Sequence, residues 1–122
     1  MRERINDRGR LEHILLAIGN VEEFLQGYDY ERFINDKILY YAVVKNVEIV
    51  GEAAYMLSLD FKAEHTDTPW DQIEKMRHVL VHGYYQILPE VLWLTIHDDL
   101  PPLKTNVLNY LSEMDEIEFP NV

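Results

Sequence analysis

The sequence predicts an all-α protein, an up-and-down bundle of four to five helices. Apolar residues recur at spacings of three and four through most of the chain, and no stretch sustains the alternation of period two that is typical of strands. Glycine and proline divide this pattern into segments of helical length. Neither a repeat nor a linker rich in glycine or serine divides the 122 residues. We therefore expect one helical domain over residues 1–122.

The first half of the chain predicts two long helices. Helix one is expected over about residues 4–27, from the apolar face Leu11, Ile14, Leu15, Ile18, Val21 and Leu25. After Gly27 a short helical turn is expected over 30–34, and Asn35 or Asp36 then caps a helix that continues to Leu57. This second long helix is apolar over most of its circumference, which predicts that it is the buried centre.

Gly51 interrupts that buried helix. A glycine inside a helix costs about 1 kcal/mol relative to alanine, so it predicts a close approach by another helix or by a second subunit. Lys45, Glu48 and Glu52 follow one another at helical spacing nearby. Such a series is mainly typical of a solvated ion-pair edge, with an interface as the other interpretation for Glu52.

The second half of the chain begins with a third helix, which has Thr68 as its cap and Pro69 at its first position. It is expected to end at Gly83 in the left-handed conformation. Pro89 starts another helix, and Pro101 and Pro102 are expected to break or bend it. The acidic tail is expected to fray from about residue 112.

Composition limits the classes of function. The net charge of −11 argues against nonspecific coating of nucleic acid, but it leaves room for a small basic cleft or for a basic protein partner. Nothing approaches an unbroken apolar run of about 18 residues, so no membrane span is predicted. The charged N-terminus does not resemble a secretory signal, and the lack of cysteine is compatible with a reducing cytoplasm, where we expect the protein.

The chemistry is concentrated in residues 76–85, at the end of the third helix. Arg77, His78 and His82 interrupt an apolar run there, and Tyr84 and Tyr85 follow the glycine. Arginine is a permanent cation suited to phosphate, and histidine both accepts and donates a proton near neutral pH. Together they indicate phosphodiester chemistry.

Helical spacing alone does not bring Arg77 and His82 together. They are separated by about 140° around a helix of 3.6 residues per turn, so either the helix end or a symmetric dimer must complete the pair. Pairing of a buried Arg77 with Glu48 or Glu52 would instead favour a structural role.

His78 and His82 do share a helical face, at the spacing that metal sites use. A zinc site would need a third ligand, for which His97, Asp98 and Asp99 are candidates. No His-Glu-x-x-His signature is present, and a histidine near a helix end often interacts only with the helix dipole. We predict no metal ion and no other cofactor.

The string Arg77-x4-His82-x-Tyr84 matches an R-x4-H-x-Y motif. With Gly51-Glu52-Ala53-Ala54 in the second long helix and Pro69-Trp70 opening the third, it resembles the HepT-type toxins of the HEPN ribonuclease superfamily over about residues 4–110. In that family the position after the motif arginine is commonly asparagine or aspartate, whereas here it is His78.

The resemblance implies a HEPN-like homodimer with its active cleft at the subunit interface, and metal-independent cleavage of RNA. Arg77 and His82 would be catalytic, with His78, Tyr85 and Glu52 in support. The resemblance also implies a minimal nucleotidyltransferase antitoxin that transfers AMP onto Tyr84 and so inactivates the toxin. The alternative is a non-catalytic helical dimer or adaptor that binds a nucleotidyltransferase or a nucleotide.

Overall fold

The computed structural model describes residues 6–83 and 87–118, and all the regular structure in these ranges is helical. The elements are α1 Asp7–Phe24, α2 Tyr30–Asn35, α3 Lys37–Met56, α4 Leu59–Glu64, α5 Trp70–His82, α6 Pro89–Leu94, a π-helical segment Thr95–Asp99, and α7 Leu100–Glu118. Four of them, α1, α3, α5 and α7, are long. The all-α prediction is confirmed, with three short helices of six residues each accompanying the four long ones.

Side-chain caps fix the starts of the two helices that form most of the core. The Asn6 side chain accepts a hydrogen bond of 2.9 Å from the backbone N–H of Gly9, and Asp36 accepts one of 3.0 Å from that of Leu39. Each bond satisfies an N–H group that has no partner within the helix. The expected cap at Asp36 is therefore confirmed, and α1 is shorter at both ends than the expected range.

Helix α3 lies between α1 and α5 and carries much of the core. Its residues Val43, Val47, Val50 and Ala54 are fully buried, together with Leu11, Ile14 and Val21 of α1 and Val107 of α7. The prediction that α3 is central is confirmed, but it is not buried all round. Ile38, Tyr41 and Met56 are exposed, because no element of the described chain covers that side of the helix.

At Gly51, helix α3 packs closely against α5. A Cβ built on Gly51 would overlap the Cβ of Arg77 and lie 3.1 Å from its Cα. The expected close approach is therefore confirmed, and the neighbour is the motif arginine itself.

The start of α5 differs from the expectation. Thr68 makes no capping bond, and Pro69 takes the cap position with α5 beginning at Trp70. Thr68 is buried and is bonded to α7 instead: Asn106 donates to its hydroxyl at 3.0 Å, and its hydroxyl lies 2.5 Å from that of Tyr110.

Tyr110 continues this buried chain by donating a hydrogen bond of 2.6 Å to Asp67. Burial and the bond to Asp67 raise the pKa of Tyr110 to about 12, so the hydroxyl remains a donor throughout the physiological range. The chain of bonds attaches the start of α5 to the middle of α7.

The C-terminal part of the described chain is helical without interruption from Pro89 to Glu118. Pro101 and Pro102 do not break it, since they fall in the first turn of α7. The carbonyls that would lose partners to these prolines, four residues earlier, lie in the π-helical segment. Gly83 does end α5, but with φ −118° rather than in the left-handed region.

The tail from about residue 112 was expected to fray, and it is helical to Glu118 instead. Met114 packs against the core, and Asp115 forms an ion pair of 2.8 Å with Arg8, which together hold this turn against the bundle. Within residues 6–83 and 87–118, no helix is both long enough and apolar enough to cross a bilayer.

Replacing Gly51 with alanine tests the close approach. We expect Gly51→Ala to lower the free energy of unfolding by about 1–3 kcal/mol, because the new methyl group must push α5 away from α3. Gly19→Ala in α1 is the matched control, since a Cβ there meets nothing within 4 Å, and it should be neutral or stabilising by up to about 1 kcal/mol. Urea unfolding followed by circular dichroism measures both, and equal effects would contradict the contact.

Candidate active site

The candidate site lies on the second half of α5, which carries Arg77, His78 and His82. Leu80 on the same helix is buried, and Ile73 and Met76 pack against the core, so α5 is held by its apolar face as the sequence predicts. Tyr84 and Tyr85 lie outside the described residues. The structure therefore bears on three of the five motif residues that were predicted to take part.

Arg77 projects from α5 onto α3. Its Nε lies 2.5 Å from Oε2 of Glu52, and its guanidinium carbon lies 5.3 Å from the ring centroid of Tyr55. The distance to Glu52 is that of an ion pair, but among the described residues the buried Nε has no partner with hydrogen-bond geometry. We read the contact as an attraction of charges rather than as a well-formed hydrogen bond, because directionality is what the second requires.

The pairing of Arg77 with Glu52 is one of the two that were expected to favour a structural role for a buried arginine. Arg77 is not fully buried, however, since its side chain is 26% exposed and that of Glu52 is 47% exposed. An ion pair with this much access to water contributes little to stability. Glu52 and Tyr55 therefore orient a guanidinium that solvent still reaches.

The two motif histidines lie together on the exposed side of α5. Both are exposed, and their ring centroids are 4.7 Å apart. The helix continues through His82, and the N–H of Gly83 donates to the carbonyl of Val79 at 2.7 Å. The helix end therefore does not turn His82 back toward Arg77. The other expected route, completion of the pair by a symmetric dimer, stays a prediction.

The residues proposed as further metal ligands lie in the π-helical segment. His97 is occupied there, since its Nδ1 lies 2.8 Å from the carbonyl oxygen of Trp93 and its ring packs, tilted by 43°, against that of Trp93 with centroids 4.2 Å apart. Across the described ranges, no three histidine, aspartate or glutamate side chains come together as a metal site would require.

A cleft of about 690 Å³ lies between α3 and the end of α5. Its walls combine the rings of Tyr40 and Tyr41 with the charged side chains of Lys37, Lys45 and Glu48. On the α5 side they include Val81, one helical turn beyond Arg77, and none of the motif residues Arg77, His78 and His82. Rings and lysines in a cleft are typical of surfaces that bind single-stranded nucleic acid.

A second groove, of about 620 Å³, lies between α5, α6 and α7 and is mostly apolar. It contacts α5 through Met76, Val79 and Leu80 and includes none of Arg77, His78 and His82. Because its walls are mostly apolar, this groove is less suited to a polyanion than the first cleft is.

Sequence reasoning missed Tyr55, which covers one side of the Arg77 guanidinium. The signal was available, because Tyr55 follows Glu52 by three residues and so lies on the same side of α3. The packing of Gly51 against Arg77 in particular was not predictable, since the sequence did not indicate which helix approaches the glycine.

Two matched substitutions test whether the Arg77–Glu52 pair is mainly structural. Glu52→Gln should change the free energy of unfolding by less than about 1 kcal/mol, because the pair is partly exposed. Glu74→Gln should cost about 1.5–3 kcal/mol, because it removes a charged hydrogen bond of 2.5 Å to the better buried Lys62. Chemical unfolding of the two variants and the parent gives both values, and a larger loss for Glu52→Gln would favour the structural role.

Comparison with known proteins places this chain in a family. A family model described as "Ribonuclease HepT-like" matches residues 14–109. A probable ribonuclease HepT of Thermococcus cleftensis is 40% identical over 94 residues, which are 77% of this chain and 86% of that protein. A Methanocaldococcus jannaschii protein named "Putative RNase" is 36% identical over 97 residues, which are 80% of this chain and 89% of that protein. No solved structure matches.

The match covers α3 and α5 entire, and with them the Gly51 contact, Glu52 and the motif residues. The resemblance predicted from the motif is thus confirmed. This chain belongs to the HepT-like ribonuclease family.

Proposed function

We propose that this chain is an endoribonuclease that cleaves RNA without a metal ion, using Arg77 and His82, in the cytoplasm. The observation that carries the proposal is the setting of Arg77. In a chain of a ribonuclease family, this cation is fixed by Gly51, Glu52 and Tyr55 beside a cleft with aromatic and basic walls, yet remains open to solvent.

The proposed reaction is an attack by a ribose 2′-hydroxyl on the adjacent phosphorus. His82 takes the hydroxyl proton as the new P–O bond forms, and the bond to the 5′-oxygen of the next nucleotide breaks. A protonated imidazole returns a proton to that leaving oxygen, so the products are a 2′,3′-cyclic phosphate and a 5′-hydroxyl. Proton transfer of this kind contributes about 10²- to 10⁴-fold in rate.

Arg77 acts on the phosphate in this proposal. Its guanidinium stabilises the negative charge that develops on the non-bridging oxygens, a contribution on the order of 3–4 kcal/mol when such a donor is removed. Glu52 must yield the guanidinium to the phosphate, because both are anions that compete for one cation. His78 lies against His82 and supports its ring. Tyr84 and Tyr85 stack on unpaired bases.

In this proposal a homodimer brings Arg77 of one subunit close to His82 of the other. Arg77 and His82 lie about 140° apart around α5, and α5 remains regular through both. A two-fold axis beside α5 would give one cleft two copies of each residue. One His82 then serves as base and the other as acid.

We further propose that the chain is the toxin of a toxin–antitoxin pair. A minimal nucleotidyltransferase antitoxin transfers AMP from ATP to the hydroxyl of Tyr84 and releases pyrophosphate. Tyr84 follows His82 by two residues, so the added phosphate and base would lie at the end of α5. Their charge and bulk would exclude RNA from the site.

One observation favours the alternative, a non-catalytic dimer or adaptor that binds a nucleotidyltransferase or a nucleotide. Arg77 is engaged by Glu52 in the isolated chain. If that pair persists when RNA is present, the cation cannot serve a phosphate.

RNA cleavage in the presence of EDTA tests the leading proposal. Arg77→Ala should lower the cleavage rate on single-stranded RNA on the order of 10²- to 10³-fold, and His82→Ala about 10²- to 10⁴-fold. The assay is gel separation of labelled RNA, with the 2′,3′-cyclic phosphate end identified by mass.

Lys75→Ala is the matched control, since it removes an exposed cation of α5 that does not belong to the motif, and it should cleave like the parent. Circular dichroism checks that every variant is folded. Cleavage lost in EDTA and restored by zinc would favour a metal site, and a parent protein inactive on every RNA that still binds a nucleotidyltransferase would favour the adaptor.

Labelling by a cognate nucleotidyltransferase with ATP tests the proposed regulation. The parent should gain the mass of one AMP group and lose cleavage, and Tyr84→Phe should gain no mass because the acceptor hydroxyl is gone. Tyr85→Phe is the neighbouring control and should still be labelled. Unchanged labelling of Tyr84→Phe would remove Tyr84 from the proposal.

A further inference from the structure

Two opposite charges lie side by side on one wall of the cleft between α3 and the end of α5. Lys45 and Glu48 both line this cleft, and Nζ of the lysine is 3.4 Å from Oε1 of the glutamate. The contact is long and the two side chains are 65% and 28% exposed, so the pair contributes little to stability. Both charges are therefore available to a ligand that presents an acceptor next to donors.

The rest of the cleft suits a flat aromatic ligand. Tyr41 is 62% exposed, and its ring makes an edge contact with that of Tyr40 at 5.6 Å between centroids. Val44 follows Tyr41 by three residues and precedes Glu48 by four, so it adds apolar surface on the same face of α3. Stacking on an exposed aromatic ring binds a base by its face, whatever groups its edge carries.

The charge of the cleft differs in sign from that of the whole chain. Two lysines, Lys37 and Lys45, and one glutamate are the charged residues of its described lining, which gives a formal charge of +1. The whole chain has a net charge of −11. A ligand that carries phosphate is therefore attracted to this cleft more than to the surrounding surface, and Lys37 is available for the phosphate when Lys45 is engaged.

The cleft lies next to Arg77. Val81 follows Arg77 by four residues on α5, and Glu48 precedes Glu52, the partner of Arg77, by four residues on α3. Each wall of the cleft thus begins about 6 Å along its helix, little more than one turn, from the Arg77–Glu52 pair. A nucleotide whose phosphate binds Arg77 therefore has a base within reach of the cleft.

We propose that this cleft binds one unpaired base beside the scissile phosphate, and that Lys45 and Glu48 select guanine as that base. The site rests on the ribonuclease proposed above and names its class of substrate, RNA that is single-stranded at a guanine. The edge of guanine carries an acceptor, O6, next to two donors, N1–H and the 2-amino group. Lys45 donates to O6, and the two oxygens of Glu48 accept from N1–H and the 2-amino group, while the base stacks on Tyr41.

The other three bases present a different order of groups to the same pair. Adenine and cytosine have an amino group where guanine has O6, so a donor would face the ammonium of Lys45. Uracil matches at O4 and N3–H, but its O2 would face the second oxygen of Glu48. Because each mismatch leaves a charged group without a partner, we expect a preference for guanine of about 10- to 100-fold.

Binding of nucleoside 3′-monophosphates, followed by isothermal titration calorimetry, tests the site without cleavage. The guanosine nucleotide should bind the parent protein about 10- to 100-fold more tightly than the adenosine, cytidine and uridine nucleotides. The inosine nucleotide lacks only the 2-amino group, so it should bind roughly tenfold more weakly than the guanosine nucleotide. Glu48→Ala should bind these two equally, because it has no carboxylate to accept from the amino group.

Glu22→Ala is the matched control for Glu48→Ala. It removes the same charge and also breaks a partly exposed pair with a lysine, Lys104, but Glu22 does not line the cleft. Its affinities should equal those of the parent. The absence of a preference for the guanosine nucleotide at millimolar concentrations, or a preference that survives Glu48→Ala in folded protein, would overturn the proposal.

Three further substitutions separate contacts to the edge of the base from contacts to its face and its phosphate. Lys45→Ala should weaken binding of the guanosine and inosine nucleotides, which share O6, by roughly tenfold and should not weaken binding of the adenosine nucleotide. Tyr41→Ala and Lys37→Ala should weaken binding of every nucleotide alike, because stacking and phosphate binding do not depend on the edge. An equal loss for all nucleotides in Lys45→Ala would overturn the role given to Lys45.

The cut sites in single-stranded RNA of random sequence distinguish this proposal from the ribonuclease itself. The parent should cut with guanine at one fixed position within one nucleotide of the broken bond, and Glu48→Ala should lose that preference while Glu22→Ala keeps it. Cleavage that depends on Arg77 and His82 but shows no such guanine would remove the guanine site and leave the ribonuclease. Guanosine binding that depends on Glu48, in a protein that cleaves no RNA, would do the reverse.

Discussion

The contact between Gly51 and Arg77 is the constraint on which the candidate site depends. A side chain at Gly51 would occupy the space of the Arg77 Cβ, so the glycine permits a close approach of the two helices there. That approach places the arginine where Glu52 and Tyr55, one residue and four residues further along α3, reach its guanidinium. A glycine inside a helix lowers the stability by about 1 kcal/mol relative to alanine. At residue 51 that loss accompanies the space that Arg77 needs.

Charge is distributed so that this cation is not neutralised by the rest of the acidic surface. Cations elsewhere hold helices together, as Arg8 does with Asp115, Lys62 with Glu74 and Lys104 with Glu22. The Arg77 pair differs because a second cation, Lys45, lies within two turns of Glu52 on the same side of α3. A strongly acidic protein can in this way keep a small anion-binding surface, since screening in salt limits the reach of distant charges to about 8–10 Å.

The sequence was informative where periodicity or local chemistry decides the structure. Helix α3, its cap at Asp36 and the importance of Gly51 follow from apolar spacing, an oxygen-bearing side chain and one missing Cβ. The sequence was misleading where a residue far away in the chain, or a neighbouring segment, changes the hydrogen bonding that is usual for a residue type. Thr68 is a good cap by type, but the hydroxyl of Tyr110, 42 residues away, takes its side chain. Pro101 and Pro102 are helix breakers by type, but the π-helical segment absorbs the bonds they cannot make.

The site itself was predictable in composition and not in geometry. Residue types at Arg77 and His82 indicated the chemistry, and their offset showed that one helix could not assemble it. Which carboxylate holds Arg77 depends on the rotation of α3 against α5, and that rotation is set by packing across the whole core. The spacing of residues in the sequence does not determine this rotation.

The hydrogen bonds among Asp67, Thr68, Asn106 and Tyr110 anchor one end of α5 more firmly than the other. The segment that leads into α5, Asp67 and Thr68, is tied to α7 by three hydrogen bonds. The last residues of the helix, His82 and Gly83, have no comparable anchor in the described chain. Local opening has the lowest free energy where such anchors are fewest. In the proposed regulation at Tyr84, the modification would therefore act against a local stability at the end of α5 and not against the stability of the whole bundle.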